Sequence, residues 1–154
     1  MYINVYLRKC SSDRSEKCFV HTYVLRKAVR SGGYSVDPAF AVEQMKSVRE
    51  FYLVADFFRI QYLRFTFLEA ECKDFTEDFA EMLAQKVCEV FGRDYQLVYG
   101  VHHYKDRWHL HIILNPVNMH TGEILLPINT NLNVLGKLVY QYCKVDFVCF
   151  VRHF

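Results

Sequence analysis

The chain has 154 residues, of which 52% are apolar and 23% charged, so it can bury a core of its own and is not a disordered protein. Its apolar runs are too short to cross a bilayer and no signal peptide precedes them, so we expect a cytoplasmic protein without membrane insertion. The net charge of +2 hides an asymmetry, because residues 1–64 hold eleven basic against six acidic side chains. A basic N-terminal part suits a polyanionic partner.

Hydrophobic periodicity predicts the element order β-α-α-β-α-β-β-α-β in a single domain that spans residues 1–154. Because two consecutive strands form a hairpin, we expect an α+β fold, a central antiparallel sheet of about five strands with helices packed on it. The predicted strands are 3–7, 60–68, the hairpin strands 95–102 and 108–115, and 147–151. A first helix runs from Ser15 to about Val29 and is ended by Ser31-Gly32-Gly33, and a second begins at Pro38. A third helix follows a capping box at 74–77 and ends at Gly92, and a fourth spans 132–142.

Four of the seven histidines lie in the predicted hairpin, at positions 102, 103, 109 and 111. Alternate residues of a strand share a face, so His109 and His111 point the same way. A turn of two or four residues would place His102 opposite His109, with Cβ atoms roughly 4.5–5.5 Å apart. Three neutral imidazoles suit a transition metal and leave positions open for a substrate. An odd-length loop would bring in His103 instead, and the alternative is a hairpin whose histidines are merely half-buried.

The segment Val101–Asn115 resembles the metal-binding segment of relaxases, the mobilisation nucleases of conjugative plasmids and integrative elements within the HUH endonuclease group. The resemblance implies that His102, His109 and His111 hold a divalent metal ion, Mg²⁺ or Mn²⁺ in function. It also implies supporting roles for Asp106 and Asn115, which could instead form the turn and end the strand. A second acidic residue that is usual in the family is replaced here by Tyr104, and the family glycine matches Gly122.

The family's nucleophilic tyrosine matches Tyr23, which basic residues follow, and Tyr34 is the second choice. The resemblance implies DNA-phosphate contacts for Arg26, Lys27 and Arg30, which could equally form a solvated helix face. Trp108 and Tyr104 lie beside the histidines and could stack on bases or pack in the protein.

The implied activity is metal-dependent, site- and strand-specific nicking and rejoining of DNA at a transfer origin, through a covalent 5′-phosphotyrosine. The implied partners are single-stranded DNA with an adjacent hairpin, and accessory transfer proteins. A free phenol has a pKa near 10, so attack on phosphorus needs help from a cation or a base.

Three alternatives stay open. A replication initiator or a single-tyrosine transposase of the HUH group would use a later tyrosine, for which Tyr140-Gln-Tyr-Cys-Lys144 is suitable. A non-catalytic DNA-binding accessory domain would keep the hairpin without turnover. An unrelated metal-dependent hydrolase would act on small phosphoesters.

Overall fold

The computed structural model describes residues 1–8, 10, 12–54, 59–71, 74–126 and 131–153. Within these ranges, six strands form one sheet in the order β2-β4-β5-β3-β1-β6. The strands are β1 Tyr2–Arg8, β2 Arg30–Tyr34, β3 Ile60–Leu68, β4 Leu97–Tyr104, β5 Arg107–Leu114 and β6 Val148–His153. The helices are α1 Asp13–Lys17, a π-helix at Cys18–Leu25, α2 Ala41–Phe51, α3 Glu77–Phe91 and α4 Leu132–Cys143, with 3-10 turns at Pro38–Phe40 and Glu69–Glu71.

The predicted α+β fold is confirmed, but the sheet has six strands in the described part of the chain and is not wholly antiparallel. Strand β6 pairs with β1 in parallel, with Tyr2 beside Val148 and Asn4 beside Phe150. All other neighbouring strands pair in antiparallel fashion.

The largest correction concerns residues 30–34. We expected Ser31-Gly32-Gly33 to end a long helix, but these residues form the edge strand β2, which pairs with β4. Consecutive glycines are poor strand formers, so the sequence pattern favoured a turn. In the fold a glycine is needed at position 32, because a Cβ there would lie 2.5 Å from the Tyr99 hydroxyl. The helical segment before β2 ends at Leu25.

The helix α3 begins two residues later than the capping-box prediction places it. Thr76 is the N-cap, and its hydroxyl accepts a hydrogen bond from the Phe79 amide at 3.1 Å. Gly92 ends the helix as predicted. No helix in the described ranges combines the length and the apolar character that a bilayer span requires.

Two hydrophobic cores lie on opposite faces of the sheet. On one face, α3 and α4 cover alternate residues of the hairpin, among them Leu110 and Ile112. On the other face, the π-helix and α2 pack against Val98 and Ile113. Because strand residues alternate between faces, His109 and His111 lie on the same face as Ile113, below the π-helix.

Candidate active site

The β4–β5 hairpin has the register that the sequence predicts. A two-residue turn at 105–106 connects the strands, and His102 pairs with His109. His103 pairs with Trp108 and stacks on it, with ring centroids 3.9 Å apart. His103 therefore lies on the opposite face of the hairpin from the other three histidines.

The rings of His102, His109 and His111 form one cluster. The centroid of His111 lies 4.1 Å from that of His102 and 5.7 Å from that of His109. His111 is fully buried and the other two are half-buried. Removal from water is the main cause of the lowered pKa of all three, to about 2 for His111 and about 4 for His109. The cluster is therefore neutral at pH 7, the state in which imidazole binds metals.

Hydrogen bonds determine which ring nitrogens are available. The Nε2 of His102 donates to the main-chain oxygen of Val24 at 2.7 Å, because a carbonyl can only accept. The Nδ1 of His111 lies 2.5 Å from the hydroxyl of Tyr62, and their rings are parallel. Its Nε2 is buried and has no hydrogen-bond partner within the described residues. A buried, unpartnered imidazole nitrogen is unusual and fits a ligand position for a metal ion.

The three rings lie together without their donor atoms converging on one point. Among the described residues, no three His, Cys, Asp or Glu side chains have donor atoms grouped closely enough to hold a metal ion as they stand. The residue types nevertheless fit a divalent metal ion, since three neutral imidazoles lie together and the Nε2 of one of them, His111, is unpartnered among the described residues.

Tyr23 lies directly above this cluster, on the π-helix. Its ring centroid is 5.9 Å from that of His102 and 5.6 Å from that of His111, in edge contacts. Tyr23 is 39% exposed, so the residue is not sealed in the core. The Lys27 ammonium lies 5.6 Å from the centre of the same ring. The π-helical winding is uncommon and often occurs at functional sites.

The helix that carries Tyr23 is anchored at its start by buried charges. Glu16 is fully buried, and the Arg49 guanidinium lies 3.0 Å from its carboxylate. Arg59 contacts the same carboxylate at 3.1 Å and also binds Asp13. The network attaches the helical segment before Tyr23 to α2 and to the start of β3.

Asp106 and Asn115, the two predicted supporting residues, make their contacts outside the histidine cluster. Asp106 forms the hairpin turn, where its exposed carboxylate is 3.8 Å from Nε of Arg107, so the turn alternative describes it. Asn115 is buried at the end of β5, and its amide donates to the Met45 main chain and to Gln96. Asn115 therefore fixes the strand end to α2.

The predicted DNA-contacting residues also separate. Arg26 and Lys27 are exposed and follow Tyr23, as expected. Arg30 lies further along the chain at the start of β2, where it forms ion pairs with Glu77, Asp78 and Glu81 of α3.

The aromatic candidates differ in exposure and in position. Trp108 is 4% exposed and packs in the α3 core, which is the packing alternative of the two that the sequence left open. Tyr104 is 67% exposed. Tyr34 lies in β2 and packs against the α3 core, which places it away from the histidine face.

Tyr140 lies on the wrong side of the sheet for the alternative site. Its helix, α4, contributes Leu135 and Val139 to the core that covers the other face. The sheet therefore separates Tyr140 from the histidine cluster.

Sequence analysis missed Tyr62 and Arg64 of β3. Arg64 pairs with His111, and Thr66, two residues along the same strand, pairs with His109. Period-2 alternation in a predicted strand could have placed Tyr62 and Arg64 on one face. The neighbour relation of β3 and β5, however, is not visible in the sequence.

A mostly antiparallel sheet that carries three neutral imidazoles below an exposed tyrosine is suited to phosphoryl transfer by a tyrosine nucleophile. This chemistry defines a class of DNA-nicking domains. A family model described as "Relaxase: MobA/VirD2-like, nuclease domain" matches residues 23–145, so the chain belongs to this relaxase family. Comparison with curated proteins and with solved structures gave no match. Family membership supports a DNA-nicking role in general.

Proposed function

We propose that this protein nicks and rejoins one strand of DNA at a transfer origin, with Tyr23 as nucleophile and with His102, His109 and His111 as metal ligands. The observation that carries the proposal is the packing of the Tyr23 ring against the edges of His102 and His111. This contact brings the phenol and the cluster to one place although they are far apart in sequence.

The chemistry is a transesterification. The Tyr23 oxygen forms a bond to phosphorus, the bond from phosphorus to O3′ breaks, the phenol proton leaves to water and O3′ gains one. The products are a 5′-phosphotyrosine and a free 3′ hydroxyl. Because one phosphodiester-type bond replaces another, the step can reverse and rejoin the strand without a nucleotide cofactor.

Each side chain has a defined task in this proposal. The three imidazoles would hold a divalent ion, which when bound would stabilise charge on the phosphoryl oxygens. Tyr62 would hold the ring of His111 in place through its Nδ1. Arg26 and Lys27 are exposed next to Tyr23 and would position the DNA backbone.

The nucleophile is tested by covalent capture. A pool of single-stranded 60-mers with a randomised centre is incubated with the protein and Mn²⁺ or Mg²⁺, and adducts are isolated under denaturing conditions. We expect adducts on the Tyr23 peptide, identified by mass spectrometry, and a common nick site in the captured DNA. Tyr23→Phe should abolish the adduct and Tyr140→Phe should not.

The reverse result would assign the reaction to Tyr140, as in the initiator and transposase alternative. Binding of single strands without any adduct would support an accessory domain, and release of a small product without a protein-linked intermediate would support a hydrolase.

The metal is tested by titration with Mn²⁺ in a calorimeter. His109→Ala and His111→Ala should each weaken binding by at least about tenfold. The matched control is His120→Ala, since the His120 ring lies outside the cluster and contacts the Arg93 main chain. Equal Mn²⁺ affinities in all three variants would contradict the assignment of the ligands.

A further inference from the structure

A groove of about 380 Å³ opens on the histidine face of the sheet and borders His109. Two arginines, Arg64 and Arg107, and two aromatic residues, Tyr2 and Phe150, line it. None of these four residues has a role in the nicking step described above.

The strand register explains why these residues meet. Thr66 of β3 pairs with His109 on one side and with Tyr2 on the other. Two residues from Thr66 on the same strand, Arg64 pairs with both His111 and Asn4. Asn4 is in turn paired with Phe150 of β6. The groove therefore leads from the histidine cluster across β3 and β1 to β6.

The groove combines positive charge with accessible rings. Tyr2 and Phe150 are stacked on each other, with centroids 6.4 Å apart, and are 46% and 40% exposed. The Arg107 side chain is 56% exposed, and the Asp106 carboxylate, 3.8 Å from its Nε, is itself exposed. Guanidinium groups attract phosphates, and exposed rings provide platforms for bases. This combination fits a single strand, which offers phosphates to the guanidinium groups and bases to the rings at regular spacing.

We propose that this groove binds the nucleotides that adjoin the scissile phosphate, with bases on Tyr2 and Phe150 and backbone phosphates on Arg64 and Arg107. The inference rests on the proposed function for the position of the scissile phosphate. Tyr2 and Phe150 both lie outside residues 23–145, so the family match does not include them.

Binding is measured without chemistry, in a Tyr23→Phe background. Fluorescence anisotropy with a fluorescein-labelled dT12 strand gives the dissociation constant between 50 and 200 mM salt. Since base–aromatic stacking tolerates any sequence, dT12 is a suitable probe. We expect Tyr2→Ala and Phe150→Ala each to weaken binding by about tenfold, whereas Tyr2→Phe keeps the wild-type affinity. Arg107→Gln should lower the slope of log K against log salt by about 0.7.

Controls on the opposite face separate groove binding from general charge and aromatic content. Tyr140→Ala and Lys137→Gln change exposed residues of α4, beyond the sheet, and should leave binding unchanged. A second measurement does not depend on any variant that could misfold. A strand that contains 5-iododeoxyuridine is photocrosslinked to the otherwise wild-type chain, and mass spectrometry should place the crosslinks on the Tyr2 or Phe150 peptide.

The outcomes distinguish the two proposals. Crosslinks confined to other surfaces, or groove variants that bind and nick like wild type, would overturn the groove and leave Tyr23 chemistry intact. Weakened binding by the groove variants without any Tyr23 adduct would sustain the groove as a single-strand site and overturn the proposed function.

Discussion

His102 and Val24 connect the hairpin to the helix of the candidate nucleophile. The His102 ring donates from Nε2 to the main-chain oxygen of Val24, one residue after Tyr23, at 2.7 Å. Gly100 lies below the same oxygen, and a Cβ at that position would be only 2.6 Å from it. The absence of a side chain at position 100 therefore allows the helix to approach the histidine cluster.

We expect Gly100→Ala to separate Tyr23 from the histidines. A methyl group this close to a main-chain oxygen forces the helix outward, at a cost of about 1–3 kcal/mol in the free energy of unfolding. Adduct formation should fall by at least about tenfold, because misplacement by about 1 Å can cost a hundredfold. Urea unfolding and covalent capture measure the two effects.

The control for this prediction is Gly33→Ala in the edge strand β2, where a Cβ would also clash with a main-chain oxygen, that of Val36 at 2.5 Å. It should destabilise the fold and leave the adduct yield of the folded protein unchanged. Equal loss of adduct in both variants would show that stability alone governs activity.

We expect Tyr62→Phe to weaken Mn²⁺ binding by about 10–100-fold, because the variant removes the partner of His111 Nδ1. Calorimetric titration provides the measurement. Tyr99→Phe is a matched control, since Tyr99 is also buried and its hydroxyl bonds Glu81 and Gln85 in the other core. An unchanged affinity in Tyr62→Phe would remove Tyr62 from the site.

We expect that breaking the buried ion pair of Glu16 and Arg49 destabilises the fold more than replacing both partners with apolar residues. Glu16→Ala leaves two guanidiniums without their shared carboxylate and should cost about 3–5 kcal/mol in urea unfolding. The double variant Glu16→Leu/Arg49→Met should cost less than this single change. The exposed pair of Lys86 and Glu89 is the control, and Lys86→Met should leave the urea midpoint nearly unchanged. A double variant that is less stable than Glu16→Ala would contradict this account.

Asp13 should make stability depend on pH in acid. Its hydrogen bond to Lys46, followed by that to Arg59, lowers the Asp13 pKa from 3.8 to about 2. Because the unfolded chain takes up this proton first, the contribution is present above pH 3.8 and is lost as the pH falls towards 2. Asp13→Asn should therefore reduce the slope of stability against pH in that window. Asp78→Asn, a change at an exposed side chain, is the comparison, and identical slopes for the two variants would disprove the effect.

The sequence predicts those parts of the site whose geometry depends on local structure. The register of the hairpin follows from a two-residue turn, and strand alternation then separates His103 from the other three histidines. The nearness of Tyr23 came from the family resemblance, since no periodicity rule joins a helix at 18–25 to a hairpin 80 residues later.

The remaining features depend on long-range packing. Gly32 and Gly33 resemble a turn in the sequence, and only the fold shows the close neighbours of this strand, Tyr99 at Gly32 and the Val36 main-chain oxygen at Gly33. The parallel pairing of β6 with β1 joins opposite ends of the sequence, and no local pattern predicts it. The groove beside His109 could not be predicted for the same reason.

The chain contains one tryptophan, Trp108, and it stacks on His103 immediately before His109. Its intrinsic emission therefore originates from the histidine hairpin itself. Titration of the unlabelled protein with ions or oligonucleotides can consequently be followed at this location by fluorescence, independently of turnover.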